Sequence, residues 1–510
     1  MVTVINVDEN SRRKLLSICQ DIIYLKSKGR ALVPKHVVLG MTVRHLTGCS
    51  KLIDIISGLG HCMSSQAIIN YDSDLTKYRS LQKLLIPHGF QKSFATCVFD
   101  NNDFNEQTLT GKGTTHCTTG IIVQRVYDTE SDIGMSSGRV SVPKSRRKQH
   151  DIPSEKMHPI RMTKRIEPTA SFDITCMNSE ADSCENVAYV LCKLRFGLQH
   201  ILQPSWTGFF SHVSTTIPNI NRISYLPIID GSPADVSVVN TVLVWSLEIA
   251  DELQQSAIVV VMDEALYAKA QQIRWMNPVL QHRLILRMGE FHGCMCFLGV
   301  IGKRFQDGRL RDVLIESNTV AEGSVNGVLS GKHYNRSLRA MKIVYEAIFR
   351  LTLAAFVDAA GDSEKELLEN VTCRLYTAFH DGTFPVVLHS EDVQLLVKQL
   401  NHFITTKAEA NATFAYWMSF IEMVDTLLQF IRATRMGNWQ LHLTSVRRML
   451  PWLFAYDRIH YSRYLPIYWL EMLNLPTTNP DINDHLAAGD FVTQRTAQPF
   501  SQTPMDQTLE

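Results

Sequence analysis

The chain has 510 residues, 45% of them hydrophobic and 20% charged, with a net charge of +1. That near-neutral balance excludes a global field toward nucleic acid or a membrane, so any such binding must use local patches. The 11 scattered cysteines, with no C-x-x-C among them, argue against a disulfide framework and for a reducing, intracellular compartment. MVTVINVDENSRRK lacks the apolar core of a signal peptide. No apolar run approaches the roughly 18–20 residues of a membrane span.

Residues 11 to about 92 predict a small helical domain (1–92). Leu15, Leu16, Cys19, Ile22 and Ile23 recur at helical spacing, Leu52, Ile53, Ile55 and Ile56 continue the pattern, and Gly48, Gly58 and Gly60 interrupt it. Residues 93–305 predict an α/β core. Ser93 to Asp100 reads as a strand ending in an acid, and Gly120-Ile-Ile-Val-Gln as the second strand of a hairpin. Residues 127–180 read as a loop or linker carrying the basic run Lys144, Arg146, Arg147 and Lys148, which suits nuclear import or a DNA-backbone contact.

Ile223 to Asp230 reads as a further strand, with Pro227 marking an edge or an early end. Gly231-Ser232-Pro233-Ala-Asp235 reads as a helix start, with Ser232 as N-cap and Asp235 in a capping box; that helix should run to about Leu253. Ala257 to Met262 is a run of six apolar residues that predicts a strand buried on both faces, and Asp263 closes it before a helix over 264–276. A strand over 284–290 and a helix over 292–304 follow. Residues 306–475 predict almost only helix, with Phe414, Trp417, Met418, Ile421, Val424, Leu428 and Ile431 on one face. Residues 476–510 read as an irregular tail.

Two strands thus end in acids, Asp100 and Asp263. Their order among the other elements is that of a ribonuclease-H-like fold, in which the first and central strands are adjacent and the two acids converge. Convergent carboxylates can share divalent metal, and Mg²⁺ (or Mn²⁺) suits a site of few carboxylates completed by water and phosphate oxygens. The opposing reading makes Asp100 a turn residue and Asp263 a helix cap. Val259 to Glu264 also resembles the Asp-Glu strand of P-loop ATPases, but Gly111-Lys112, Gly302-Lys303 and Gly331-Lys332 all lack the Ser or Thr that motif needs. Glu290 and His292 stand at the end of the following strand as further site candidates. Arg432, Arg435, Arg447, Arg448, Arg458 and Arg463, interleaved with aromatics, suit phosphate forks and base stacking.

The stretches DNNDFNEQTLTGKGTTHCTTGIIVQ (100–124), IVVVMDEALYAKAQQIRW (258–275), LRMGEFHGCMCFLGVIGKRF (286–305), SGKHYNRSLR (330–339), WQLHLTSVRRMLPWLFAYDRIHYSRYLP (439–466) and MDQTLE (505–510) together resemble a large uncharacterised eukaryotic family tied to mobile elements. They share motif order with a fungal family of unknown function with transposase-like features. The resemblance implies an α/β plus all-α protein: a ribonuclease-H-like mixed sheet with an N-terminal helical domain and a large C-terminal helical insertion. It implies a DDE/D-type nuclease or DNA strand transferase with catalytic acids Asp100, Asp263 and Glu510, Asp506 beside them, DNA as partner and a nuclear location. Glu510 is the last residue, whereas the relatives continue, so the resemblance also implies a shortened chain. Glu471 and Glu316 are alternative third acids. The alternative function is a non-catalytic DNA-binding or protein-interaction module that retains the fold.

Overall fold

In a computed structural model of the chain, the residues described are 9–72, 93–105, 114–126, 157–161, 184–198, 204–214 and 216–509. The chain divides into two units, one of residues 1–84 and 132–154, the other of residues 85–131 and 155–510. The run at 144–148 and the last residue, Glu510, lie outside the described residues.

The first unit contains α1 (Glu9–Lys26), α2 (Pro34–Thr47) and α3 (Ser50–Gly58). Proline suits the first turn of α2, where its missing N–H costs nothing. A small core gathers Ile53, Cys62, Met63 and Ile68. Helix α1 meets α2 through polar atoms: Lys35 donates from its backbone N to Gln20 Oε1 at 2.7 Å and from Nζ to Asp21 at 2.6 Å. Tyr24 stacks on the buried His36 ring at 3.9 Å. Leu15, Leu16, Ile22 and Ile23, periodic as a core face would be, are exposed.

The second unit is built on a five-stranded mixed sheet in the order β3-β2-β1-β4-β5. The strands are β1 (Thr96–Asn105), β2 (Thr114–Arg125), β3 (Asn221–Tyr225), β4 (Ile258–Met262) and β5 (Leu284–Met288). β1 runs antiparallel to β2 and parallel to β4; β2 is antiparallel to β3, and β4 is parallel to β5. All five residues of β4 are buried, as expected of a strand covered on both faces. Helix α6 (Val236–Glu252) packs on β4, and α7 (Glu264–Met276) packs on β5. Before α6 come α4 (Cys184–Leu198) and α5 (Trp206–Val213).

β1 is longer than the apolar run suggests. Beyond Phe99, its last residue paired with β4, it continues to Asn105 against β2. Asp100 therefore lies at the end of β1 as seen from β4 and within the strand as seen from β2. β3 stops at Tyr225, before Pro227, and Thr118 alone bridges onward to Ile229. The cap of α6 is Asp235, not Ser232. Asp235 Oδ1 accepts from Ser237 N at 2.8 Å, whereas Ser232 Oγ accepts from Ala234 N inside the preceding turn.

Helix α8 (Glu290–Phe305) leaves β5, and a helical layer follows: α9 (Tyr334–Ala359), α10 (Asp362–Asp381), α11 (Glu391–Ala410), α12 (Ala412–Met436), α13 (Trp439–Ala455) and α14 (Ile459–Leu473). It shares the second unit with the sheet: α12 packs on α8, and α14 packs on α7 and β5. No helix among the described residues is long and apolar enough to cross a membrane. The segment after 476 is largely irregular near its end yet far from peripheral: Phe491, Val492, Gln494 and Phe500 are buried. Its backbone is held by core side chains. Arg125 donates to the Ala488 and Gly489 carbonyls at 3.0 and 2.8 Å, and Arg287 donates to the Phe491 carbonyl at 3.0 Å. The segment ends in α15 (Met505–Leu509), which packs against β1, β4 and α8.

Candidate active site

The parallel pairing of β1 with β4 brings two acids together. Phe99 is registered with Met262, and Asp100 and Asp263 are the next residues on each strand. Neighbouring strands run about 5 Å apart, so the two acids emerge side by side at one end of the sheet. Asp100 is buried, and its Oδ1 accepts from Asn101 N at 2.7 Å. Asp263 is half-buried and caps α7, its Oδ1 accepting from Leu266 N at 2.8 Å. The cap and the site candidate are thus one residue, with Oδ1 serving the helix.

α15 brings a third acid to this edge. Asp506 is buried, and its Oδ2 accepts from Phe291 N at 2.9 Å and from His292 N at 3.2 Å. His292 Nδ1 lies 3.3 Å from the same oxygen. Asp506 thereby satisfies backbone donors in the first turn of α8, where a carboxylate is also favoured by the helix dipole. Gly289 makes this approach feasible, since a Cβ there would lie 2.3 Å from Asp506 Oδ2. Asp506 and His292 are therefore committed to each other and to α8. Glu510 follows Asp506 by four positions, the spacing of one helix face, and lies outside the described residues. Among the described residues there is no group of three or more His, Cys, Asp or Glu side chains that could hold a metal ion.

Glu290 is not part of this edge. It is buried against Arg287 in an ion pair that is fully enclosed. Arg287 lies beneath Trp439 and Phe491, with its guanidinium carbon 5.4 and 5.3 Å from the two ring centres. Burial pushes the Glu290 carboxyl up to about 7, opposed by Arg287 and reinforced by Asp506. Glu290, His442 and Tyr468 line a cavity of about 20 Å³ beneath the start of α8. His442 is held well below the usual histidine range by burial and by Arg287. The expectation that Glu290 lines the site is corrected for a simple reason: the helical layer covers its side of β5.

Glu471, considered as a third acid, ion-pairs with Arg274 and accepts from Gln271 Nε2 at 3.0 Å. Glu316 is exposed at the end of a short helix away from the sheet strands. Tyr461 of α14 was read from the sequence only as one of several aromatics. Burial pushes its hydroxyl up, and Cys296, Asp506, Asp263 and Glu264 act in the same direction, so it stands within electrostatic reach of the acid edge. No spacing signal in the sequence could have placed it there. His460 beside it lies 3.6 Å from Glu264 through Nδ1.

The arginines expected to hold nucleic acid divide. Arg432 is buried, paired with Glu185 at 3.0 Å and set over Phe210. Arg448 donates to Gln429 Oε1 at 3.0 Å, and Arg435 to the Phe500 carbonyl at 3.3 Å. Arg458 is half-buried near Gly299 and Ser330. Only Arg447 and Arg463 of the six are exposed. Trp439, Tyr464, Tyr468 and Trp469 are buried in the helical layer, where they pack and do not offer stacking faces. The six do not form one surface, because the helix carrying Arg432 is enclosed on all sides over its C-terminal half.

The second unit is a mixed five-stranded sheet overlaid by a helical layer. The chain belongs to the family described as Domain of unknown function (DUF8702), whose model matches residues 205–510. The match takes in β3, β4, β5, the helical layer and α15, and with them Asp263 and Asp506; β1 and Asp100 precede it. No curated protein and no solved structure matches the chain.

Proposed function

We propose that this protein is a transposon-derived nuclease or DNA strand transferase with a ribonuclease-H-like core. One observation carries the reading: β1 and β4 are adjacent and parallel, with Phe99 registered on Met262, so that the acids following them share one edge. The strand order supports it, since the ribonuclease-H-like fold requires the first and central strands to be neighbours. The resemblance of the quoted motifs to mobile-element proteins supports the same origin.

Asp100 and Asp263 would hold Mg²⁺ (or Mn²⁺), which accepts one or two carboxylates and completes its shell with water and phosphate oxygens. The chemistry of this donor pair fits such an ion. When bound, the metal would lower the pKa of water or a 3′-hydroxyl and polarise a phosphodiester. The protein's own part is positional. β1 and β4 fix the two carboxylates, the cap to Leu266 orients Asp263, and Asp506 locks the start of α8 beside them.

The test is Mg²⁺-dependent cleavage of single- and double-stranded DNA by the wild type, Asp100→Asn and Asp263→Asn. Asparagine caps helices as well as aspartate does, so Asp263→Asn should retain the fold and lose cleavage. Equal cleavage by both variants, or none by the wild type, would overturn the proposal. Absent cleavage with retained DNA binding would favour a non-catalytic module on the same fold.

A further inference from the structure

SGKHYNRSLR (330–339) opens α9, and it presents charge where the arginines of 432–463 do not. Lys332, Arg336, Arg339 and Arg350 are exposed, and Lys342 is half-buried. Positions 336, 339, 342, 346 and 350 recur at three- and four-residue intervals and so share one helical face. The face has one acid, Glu346, and its charge is already met by Lys193 and by Tyr189 Oη at 2.6 Å. Among the described residues, none of the ion pairs engages Lys332, Arg336, Arg339 or Arg350. Lys342 adds a further cation over the Trp206 ring, its Nζ 4.4 Å from the ring centre. Burial and the nearby Arg435 bring its ammonium down to about 8.

The start of this face is tied to the acid edge. A Cβ on Gly302 would lie 1.9 Å from the Leu329 carbonyl oxygen, and one on Gly331, at φ +80°, would lie 2.2 Å from that of Met295. The turn before α9 is therefore seated directly on the backbone of α8. Tyr334, the first residue of α9, packs edge-on against Phe291 with ring centres 4.9 Å apart. Phe291 in turn donates its backbone N–H to Asp506. The row of cations thus begins near Asp506 and continues along a rigid helix. From Arg336 to Arg350 that helix spans about 21 Å at 1.5 Å per residue.

We infer that the exposed cations at the start of α9 and along it, Lys332, Arg336, Arg339 and Arg350, bind the phosphate backbone of a nucleic-acid strand and lead it to the acid edge. The inference rests on the nuclease reading for its partner, and charge complementarity selects that partner. A straight row of unpaired cations suits a regularly charged backbone, and about 21 Å of helix parallels roughly six nucleotides of one strand at 3.4 Å each. Two exposed arginines one turn apart supply the most direct contacts.

The experiment is equilibrium binding of a labelled 30-base-pair duplex and a 30-nucleotide single strand to the full chain. It is run in EDTA over a range of salt, with wild type, Arg336→Ala/Arg339→Ala and Arg447→Ala/Arg463→Ala. Loss of two phosphate contacts should lower the slope of log K against log salt by about 1.8 for duplex or about 1.4 for single strand. It should weaken binding at physiological salt on the order of tenfold, while thermal melting confirms that these surface changes leave the fold intact. The Arg447/Arg463 variant should bind nearly as the wild type does. An unchanged slope in the Arg336/Arg339 variant, a larger loss in the Arg447/Arg463 variant, or no wild-type binding would overturn the inference. Binding through α9 without Mg²⁺-dependent cleavage would sink the nuclease reading and leave the surface standing. Cleavage with undiminished binding in Arg336→Ala/Arg339→Ala would do the reverse.

Discussion

Asp263 and Glu290 follow neighbouring parallel strands at the same end of one sheet, yet their surroundings are opposite. Asp263 is half-buried and gives one oxygen to the first turn of α7. Glu290 is enclosed with Arg287 under Trp439 and Phe491. What separates them is coverage: α14 and the segment around Phe491 close over β5 and leave the ends of β1 and β4 to α15. An acid at a strand end is a site candidate only where no later element has claimed it.

The contrast can be broken most sharply through Arg287. Arg287→Ala leaves a buried carboxyl without its partner and should cost about 3–5 kcal/mol, read from urea denaturation. Asp263→Asn should change stability by no more than about 0.5 kcal/mol, because asparagine caps as well. A similar cost at both positions would erase the distinction. Next in size is Gly289→Ala, which must displace Asp506 from α8; about 1–3 kcal/mol of destabilisation is expected. Hydrogen exchange at Phe291 and His292 should rise with it.

The pH dependence sharpens the same comparison. The folded-state pKa of Glu290 is raised to about 7 from an ordinary 4.5. A raised acid binds its proton more tightly in the folded state, so its contribution is complete below about 4.5 and is lost as pH rises through about 7. His442, held low, acts in the opposite sense: its contribution is present above 6.5 and is lost as pH falls. Comparing wild type with Glu290→Gln from pH 5 to pH 8 isolates the glutamate. The gap between the two proteins should change by the amount the wild type loses at Glu290, and a constant gap would refute the assignment. Asp263→Ala should cost about 1 kcal/mol from the lost cap, seen as a modest shift in Tm and larger than the change expected of Asp263→Asn.

Much of the sheet was legible because its strands carry strong local signals. Ile258 to Met262 could hardly be other than a doubly covered strand, and Pro227 does end β3 early. The start of α6 was misplaced because Ser232 and Asp235 are both good caps, and only the local turn assigns each oxygen its donor. α1 shows the limit of periodicity: Leu15, Leu16, Ile22 and Ile23 recur as a buried face should, but α1 meets α2 through Gln20, Asp21 and Tyr24. For the candidate site, Asp100 and Asp263 were visible as acids after apolar runs. The enclosure of Glu290, the capping role of Asp506 and the position of Tyr461 were not, since each depends on residues far away along the chain.

By itself the sequence determined the buried strands, the helices and the acids at strand ends, because backbone propensity and apolar spacing act within a few residues. Only the tertiary structure decided which charges meet each other and which meet solvent. The arginines of 432–463 look like a binding surface in sequence, but the C-terminal half of α12 is enclosed and pairs Arg432 with Glu185. Arg336 and Arg339 of α9 sit inside the motif at 330–339, yet they are exposed and outside any ion pair among the described residues. The cost of burying an unpaired charge is set by every element packed around it, and no short stretch of chain contains that information.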